Sequence, residues 1–386
     1  MAGSPRQLVF DAHVDSLQCQ LDLEEDLGAL TSGHLDLPRG ERGGLGAAVF
    51  VSWVDPKHLA EPGGVRARTQ ALLHEFHVLL ERHPGKIRFT GNGRDLAAAR
   101  AAGAMAGIAG IEGGHSIEES LDRLRELFGQ GLRVLTLVWN NHLSWIRSCR
   151  DGAGSSIPEG LSSFGREVVR EMNALGMLVD LSHAGERSFY DAIEASTQPV
   201  IASHSACRTL HDHPRNLTDD QLRVLARNGG VVGIPFCVAF LSREAQEEDA
   251  RLRESSEYRA LSARNDTELF RDQGRYLQRH AAPLSIDRVV DHVLHAAEIA
   301  GIDHVGLGSD YDGIGRTPAG LEDASCYANL SARLRARGLA SEDVEKVLWR
   351  NMRGVFEKVT GPGTEADRSS RLEPVRVGAG KTGFRV

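Results

Sequence analysis

Eight short runs rich in Val, Ile and Leu punctuate this chain. They are LVFDAH at 8–13, AAVFVSW at 47–53, MAGIAGIE at 105–112, RVLTLVW at 133–139, MLVDLSH at 177–183, PVIASH at 199–204, VVGIPF at 231–236 and HVGLGSD at 304–310. Ala and Gly dilute the third. Between the runs lie helical patterns. In SLDRLRELFGQG at 120–131, Leu121, Leu124 and Leu127 share one face and Gly131 is placed to cap the end; GREVVREMNALG at 165–176 closes on Gly176. Strands that are apolar throughout need cover on both faces, which alternating helices give to a parallel sheet. Eight such units predict an α/β fold closed into a (β/α)8 TIM barrel rather than an open sheet. The predicted organisation is one barrel domain over residues 1–362 and a polar tail, rich in Gly, Arg and Ser, over 363–386.

Two segments exceed a minimal barrel. Residues 54–104 carry a helical run, ARTQALLHEFHVLLERH, and residues 241–282 form a charged, helix-prone insertion just after the seventh run. The insertion reads equally as a lid over the site or as a solvated helical elaboration. At 41% hydrophobic and 25% charged, the 386-residue chain has the balance of a globular protein with a substantial core. A formal net charge of -8, with both signs mixed along the chain, argues against a nucleic-acid or anionic-membrane partner. No basic stretch followed by an apolar run opens the chain and no apolar stretch is long enough to span a bilayer, so neither secretion nor membrane insertion is expected. The cysteines, Cys19, Cys149, Cys207, Cys237 and Cys326, are odd in number and widely spaced, which fits reduced thiols in a cytoplasmic protein.

Polar residues fall where a barrel does its chemistry. The first run ends in His13 and Asp15, the third in Glu112, the fifth in His183, the sixth in His204 and the eighth in Asp310 with Asp312. In a barrel all of these project at the C-terminal rim. One histidine after a strand is usually a hydrogen-bonded structural residue; five strand ends loaded with His, Asp or Glu point instead to metal. His13 and Asp15, one residue apart, face the same way from an extended segment. Imidazole and carboxylate ligands suit zinc, and three histidines with two carboxylates exceed the needs of one tetrahedral ion. A pair of ions sharing a carboxylate uses them all, and such a pair lowers the pKa of a shared water and polarises a scissile carbonyl. This set alone leaves phosphotriesterase, deaminase and lactonase chemistry open.

The strings FDAHVD, GIEGGHSIEESL, VDLSH, SHSACRTLHDHPRNLTDDQL, HVGLGSDYDG and GLEDASCY occur in this order. Together they resemble the membrane dipeptidase (renal dipeptidase) family of metallopeptidases, from about residue 8 to RNMRGVFEKV at 350–359. The resemblance implies a zinc-dependent dipeptidase on a metal-dependent hydrolase barrel. Two zinc ions are implied: His13 and Asp15 on one, His183 and His204 on the other, Glu112 bridging. A hydroxide between the ions would attack the amide bond. Arg215 matches the arginine that receives the substrate's terminal carboxylate, a task suited to a guanidinium fork. Asn216 is read as support for its loop and as part of the substrate site. Asp310 matches the acid that takes the water's proton and passes it to the leaving amine. Asp312 is read as structural. A small dipeptide-like substrate is implied, with a D-configured C-terminal residue accepted, and a homodimer is left open.

Two positions depart from mammalian members of that family. Trp139 stands where they carry a histidine that helps stabilise the tetrahedral intermediate, and losing an oxyanion donor costs on the order of 100- to 1000-fold in rate. The indole N–H is a partial replacement, with Asn140, Asn141 and His142 nearby. Cys237 stands where a substrate-contacting tyrosine is found, and is read as pocket wall. Both changes leave the ligands intact and leave rival readings: another amidohydrolase reaction such as lactone or biosynthetic amide cleavage, or a metal-retaining barrel that only binds. The remaining histidines are read plainly: His115 bracing its loop, His74 and His77 on a surface, His211 and His213 beside Arg215, His34 without a role. Trp53 either lines the pocket or closes the barrel.

Overall fold

The computed structural model describes residues 7–154 and 156–362; the expected tail at 363–386 lies outside them. Nine strands form: β1 (Val9–Val14), β2 (Leu45–Trp53), β3 (Ile87–Phe89), β4 (Met105–Glu112), β5 (Leu132–Thr136), β6 (Leu178–Asp180), β7 (Ile201–Ala202), β8 (Val231–Ile234) and β9 (Val305–Leu307). All pairings between them are parallel. The order β2-β1-β9-β8-β7-β6-β5-β4 closes on itself where β2 pairs β4 from Ala47↔Ala106 to Trp53↔Glu112. The eight predicted runs are the eight staves of this closed barrel.

β3 was not anticipated. It extends the flank of β4 that β5 occupies higher up: Ile87–Phe89 pair Met105–Gly107, and β5 joins β4 only from Ala109. Of its three residues only Ile87 is fully buried, so the run is too short and too polar to stand out as a strand.

Several staves stop short of the predicted runs, and two carboxylates are the cause. The N–H groups of Ser182 and Ser203 donate to Asp180 Oδ1 at 3.0 and 2.8 Å, and those of His13 and Ser309 donate to Asp11 Oδ1 at 3.1 and 2.8 Å. Side-chain acceptors thus replace ladder partners at the rim, and a satisfied N–H needs no neighbouring strand. His183 and Asp310 then adopt left-handed backbone, φ 68° and 63°, turning their side chains off the strand direction. β5 likewise ends at Thr136, so Trp139 sits in the loop after it rather than on the strand.

The N-terminal end of the barrel is shut by the helix Asn351–Thr360. Its Phe356, with the preceding Trp349, packs on Phe10 of β1 at ring separations of 6.3 and 6.1 Å. The predicted helical patterns form as Leu121–Gly129, capped by Ser120 and ending at Gln130, and Ser163–Leu175, capped by Ser162 and closed by left-handed Gly176. In the helix Gly64–Arg82, His77 is buried and its Nε2 meets the Gln130 carbonyl at 2.9 Å, so the surface expectation fails for it: the helix turns that face to the core.

The insertion after β8 folds as the helices Arg243–Arg253, Ser256–Arg259 and Asp266–His280. It is bonded to two rim loops. Buried Arg316 donates to Asp249 Oδ1 at 2.7 Å and to the Ala282 carbonyl at 2.9 Å; Asn265 donates to the Asp22 carbonyl at 2.9 Å and Arg275 to that of Ser32 at 3.0 Å. These bonds make it a buttress for the loops that follow β1 and β9.

Candidate metal centre

Five side chains from four staves converge at the C-terminal rim, all at least nine-tenths buried: His13 and Asp15 beyond β1, Glu112 ending β4, His183 after β6 and His204 after β7. Glu112 Oε1 lies 2.9 Å from His183 Nε2, 3.2 Å from His204 Nε2 and 3.8 Å from His13 Nε2, and Asp15 Oδ2 lies 3.5 Å from His13 Nε2. Three ligand-type triads result, His13–Asp15–Glu112, Glu112–His183–His204 and His13–Asp180–His204, with the atoms of each within 4.8 Å of one another. Glu112 belongs to the first two.

Whether these residues fit a metal pair can be judged from their unspent bonding capacity. His13 Nε2, Asp15 Oδ1 and Glu112 Oε1 are buried without a hydrogen-bond partner. Orphaned acceptors are expensive in a protein interior unless something binds them. Burial, then the charges of Asp15 and Asp310, push Glu112 well above the usual carboxylate range; burial and Asp15 push Asp310 up to about 8. Burial, with the charge of Arg215 adding to it, holds His183 and His204 well below the usual imidazole range. Crowded carboxylates beside neutral imidazoles, lone pairs converging, are the donor set of a divalent cation site. The residues fit.

Asp310 stands beside this set. Its N–H donates to the His13 carbonyl at 3.0 Å, and its carboxyl lies beside that of Asp15, whose charge adds to burial in raising it. Gly313 explains why GSDYDG ends in glycine: a Cβ there would lie 2.2 Å from Asp15 Oδ2 and 2.6 Å from Asp310 Oδ1. Asp312 points away from the metal ligands. It accepts from Ser16 Oγ and from the His34 and Leu35 amides, fastening the loop after β1 to the end of β9, and its own amide donates to His34 Nδ1 at 3.0 Å. His34 is therefore part of a loop clasp.

Arg215 is 3% exposed and lies 5.2 Å over the Phe240 ring. Its Nη2 donates to the His204 carbonyl at 3.0 Å and its Nη1 to Ser205 Oγ at 3.4 Å, while Nε has no partner. No carboxylate of the described residues pairs with it. Asn216 donates to the His211 and Phe240 carbonyls at 2.9 and 2.8 Å, pinning the loop that carries Arg215, and His213 Nδ1 accepts the Arg215 amide at 3.2 Å. His211 Nε2 meets the Ala239 carbonyl and His115 Nε2 the Val54 carbonyl, both loop braces. Trp139 packs edge-on to Trp53 at 5.0 Å and lies 6.1 Å from His183, so the two indoles make one wall. The buried, unpartnered indole N–H in that wall is Trp53's. Burial pushes the Cys237 thiol up to about 12, with Asp310 adding to it, which leaves a neutral side chain.

Sequence reasoning missed four supporting groups: Asp11, Asp180, Ser203 and the orienting bond of Asn140. Asn140 Oδ1 lies 3.0 Å from His183 Nδ1, and Ser203 Oγ lies 2.8 Å from His204 Nδ1. The available signal was an acid inside an apolar run, Asp11 in LVFDAH and Asp180 in MLVDLSH. A buried carboxylate there must be collecting donors.

The membrane dipeptidase family, peptidase family M19, matches over residues 5–370. An uncharacterized dipeptidase of Schizosaccharomyces pombe is 31% identical over 384 residues, covering 95% of this chain and 83% of that protein. Among solved structures, the metallopeptidase dipeptidase AC of family M19 is 28% identical with a TM-score of 0.76, covering 92% of this chain and 99% of that one. A metallopeptidase from Rhodobacter sphaeroides, solved with a phosphinate mimic of the dipeptide L-Ala-D-Ala, is 27% identical with a TM-score of 0.75, covering 91% and 99%. No helix of the described residues is long and apolar enough to cross a membrane. With its ligand-type residues at the ends of the barrel's staves and residues 5–370 matched, the chain belongs to the membrane dipeptidase family of metallopeptidases.

Proposed function

We propose that this protein hydrolyses the amide bond of a dipeptide or dipeptide-like substrate, with a D-configured C-terminal residue accepted, using two zinc ions. His13 and Asp15 would hold one ion, His183 and His204 the other, and Glu112 both. The observation that carries the reading is Arg215: a buried guanidinium with a free Nε and no acidic partner, one residue layer from the metal ligands. A buried cation of this kind calls for an anion, and a substrate carboxylate supplies one through paired hydrogen bonds.

Bound zinc would supply Lewis acidity toward the scissile carbonyl and a nucleophilic water at neutral pH. The chain's own groups do the rest. Arg215, steadied by the His204 carbonyl and the Phe240 face, fixes the C-terminal carboxylate and hence the register of the scissile bond. Asp310, whose proton affinity is raised to about 8, holds a proton at its carboxyl and delivers it to the leaving amine. Trp53 and Trp139 wall the site beside His183 and exclude water. The relative solved with a mimic of L-Ala-D-Ala supports the D-residue, because a pocket that grips the carboxylate reads little of the side chain's handedness.

The test is metal analysis of the purified full chain together with a panel of L,L and L,D dipeptides. About two zinc ions per chain and turnover of L,D members are expected. A protein holding less than one ion overturns the two-metal reading. A fully loaded protein that cuts no dipeptide overturns the peptidase reading and favours another amidohydrolase reaction or simple binding.

A further inference from the structure

Beneath the metal ligands lies a second layer that touches no substrate. Asp180, wholly buried at the end of β6, accepts four hydrogen bonds: from the Ser182 and Ser203 amides, from Thr136 Oγ1 at 2.5 Å and from Ser203 Oγ at 2.6 Å. The Ser203 hydroxyl has one proton, and the 2.6 Å contact to a carboxylate oxygen claims it. Its lone pairs are then left for the neighbours of Oγ: His204 Nδ1 at 2.8 Å, His13 Nδ1 at 3.3 Å and Ser182 Oγ at 3.3 Å. The Ser182 hydroxyl can rotate. Neither ring nitrogen has another acceptor in reach among the described residues, so each can be satisfied only as an N–H donor to Ser203. A neutral imidazole that carries its proton on Nδ1 presents a lone pair at Nε2. Those Nε2 atoms are the ones that face Glu112.

His13 and His204 share a triad with Asp180, and each also sits in a triad with Glu112, His13 with Asp15 and His204 with His183. His183, the third imidazole, is oriented separately by Asn140 on the loop after β5. We propose that Asp180, acting through the Ser203 hydroxyl, is a positioning residue that sets the Nδ1–H tautomer of His13 and His204 together, and thereby ties the two halves of the metal site to one hydrogen bond. This rests on the two-metal reading above. Asp180→Asn is the incisive change, because it keeps the volume but gives the group N–H donors. An amide proton offered to Ser203 turns the serine's own proton toward an imidazole, which calls for the opposite tautomer and removes the Nε2 lone pair.

The experiment uses the full chain loaded with zinc, as wild type and as Asp180→Asn, Ser203→Ala and Asn140→Ala. Zinc affinity is read by chelator competition, and melting of the zinc-stripped protein serves as the structural readout. Loss of an outer partner of a ligand typically weakens metal binding by roughly 10- to 100-fold. Ser203→Ala is expected to weaken both binding steps by that factor, Asp180→Asn at least one of the two, because the serine has a single proton to turn, and Asn140→Ala only one. Ser203→Ala leaves the other three bonds to Asp180 in place, so it decides the matter if Asp180→Asn does not fold. The inference is overturned if wild type binds two zinc ions and the variants bind both as tightly. It is equally overturned if Ser203→Ala weakens only one step, or if the stripped proteins melt lower with zinc affinity unchanged. Wild type that binds no zinc overturns the metal reading itself.

Discussion

Arg215 concentrates more of the proposed specificity than any other side chain, because the protein leaves its charge unanswered. A buried guanidinium held only by a carbonyl, a hydroxyl and a ring face retains most of its appetite for an anion. Arg215→Met should therefore weaken transition-state stabilisation by about 2–5 kcal/mol, roughly 30- to several-thousand-fold in kcat/KM, for substrates with a free carboxylate. Most of that loss should appear in KM, zinc content should stay at the wild-type value, and amidated substrates should be nearly indifferent. Steady-state kinetics on a matched acid and amide pair checks this; equal losses on both would remove Arg215 from carboxylate binding. The convergence of the ligand-type residues was legible because each closes an apolar run, an arrangement with no packing reason. The role proposed for Arg215 came only through family resemblance, since HPRN sits in a loop and nothing local announces its burial. Asp180 and Ser203 escaped notice for the opposite reason: they lie inside a run and its neighbour, where an eye on strand ends does not look.

At the scale of elements, the alternation of apolar runs and helical patterns was enough to give the barrel, but not where each stave stops. Asp11 and Asp180 each take one donor two residues along and one from a neighbouring strand, Ser309 and Ser203, and the second kind is information that no local window contains. The insertion 241–282 was readable as helical and charged; its attachment was not, because its partners are distant in sequence, those on the loop after β1 by more than two hundred residues. Asp22 shows that attachment best. Its carboxylate accepts from Arg68 at 2.6 and 2.7 Å and from Thr267, joining the helices Leu17–Leu23, Gly64–Arg82 and Asp266–His280. Burial alone would raise its pKa, but the Arg68 bonds and charge outweigh that and lower it. A carboxyl lowered on folding contributes stability that is complete above its unfolded value, about 3.9, and is lost as pH falls through the lower folded value. Asp22→Asn should thus lower the melting temperature at neutral pH and flatten the acid limb of the stability curve below about pH 4. A parallel downward shift at every pH would show that Asp22 acts only by packing.

Over the whole molecule the two ends of the barrel divide the work. The C-terminal rim gathers buried charge that the proposed ions and substrate would answer, whereas the N-terminal end is apolar and shut by Phe356 and Trp349 on Phe10. Burial at the shut end supplies stability with which the costly rim can be maintained. Phe356 is wholly buried, and truncating such a ring leaves a cavity worth about 3–5 kcal/mol. Phe356→Ala should lower the unfolding free energy by that amount, and the melting temperature and denaturation midpoint should fall with it. The folded fraction should keep wild-type zinc content and kcat/KM at 25 °C, because the side chain touches no residue of the metal layer. The informative failure would be a fall in kcat with zinc still bound. Phe10 and His13 share β1, so such a fall would mean that packing at the shut end sets the position of a ligand three residues along the same strand. Measuring zinc content, kcat and stability on one preparation separates the two ends, since only a mechanical link through β1 could move kcat while leaving zinc in place.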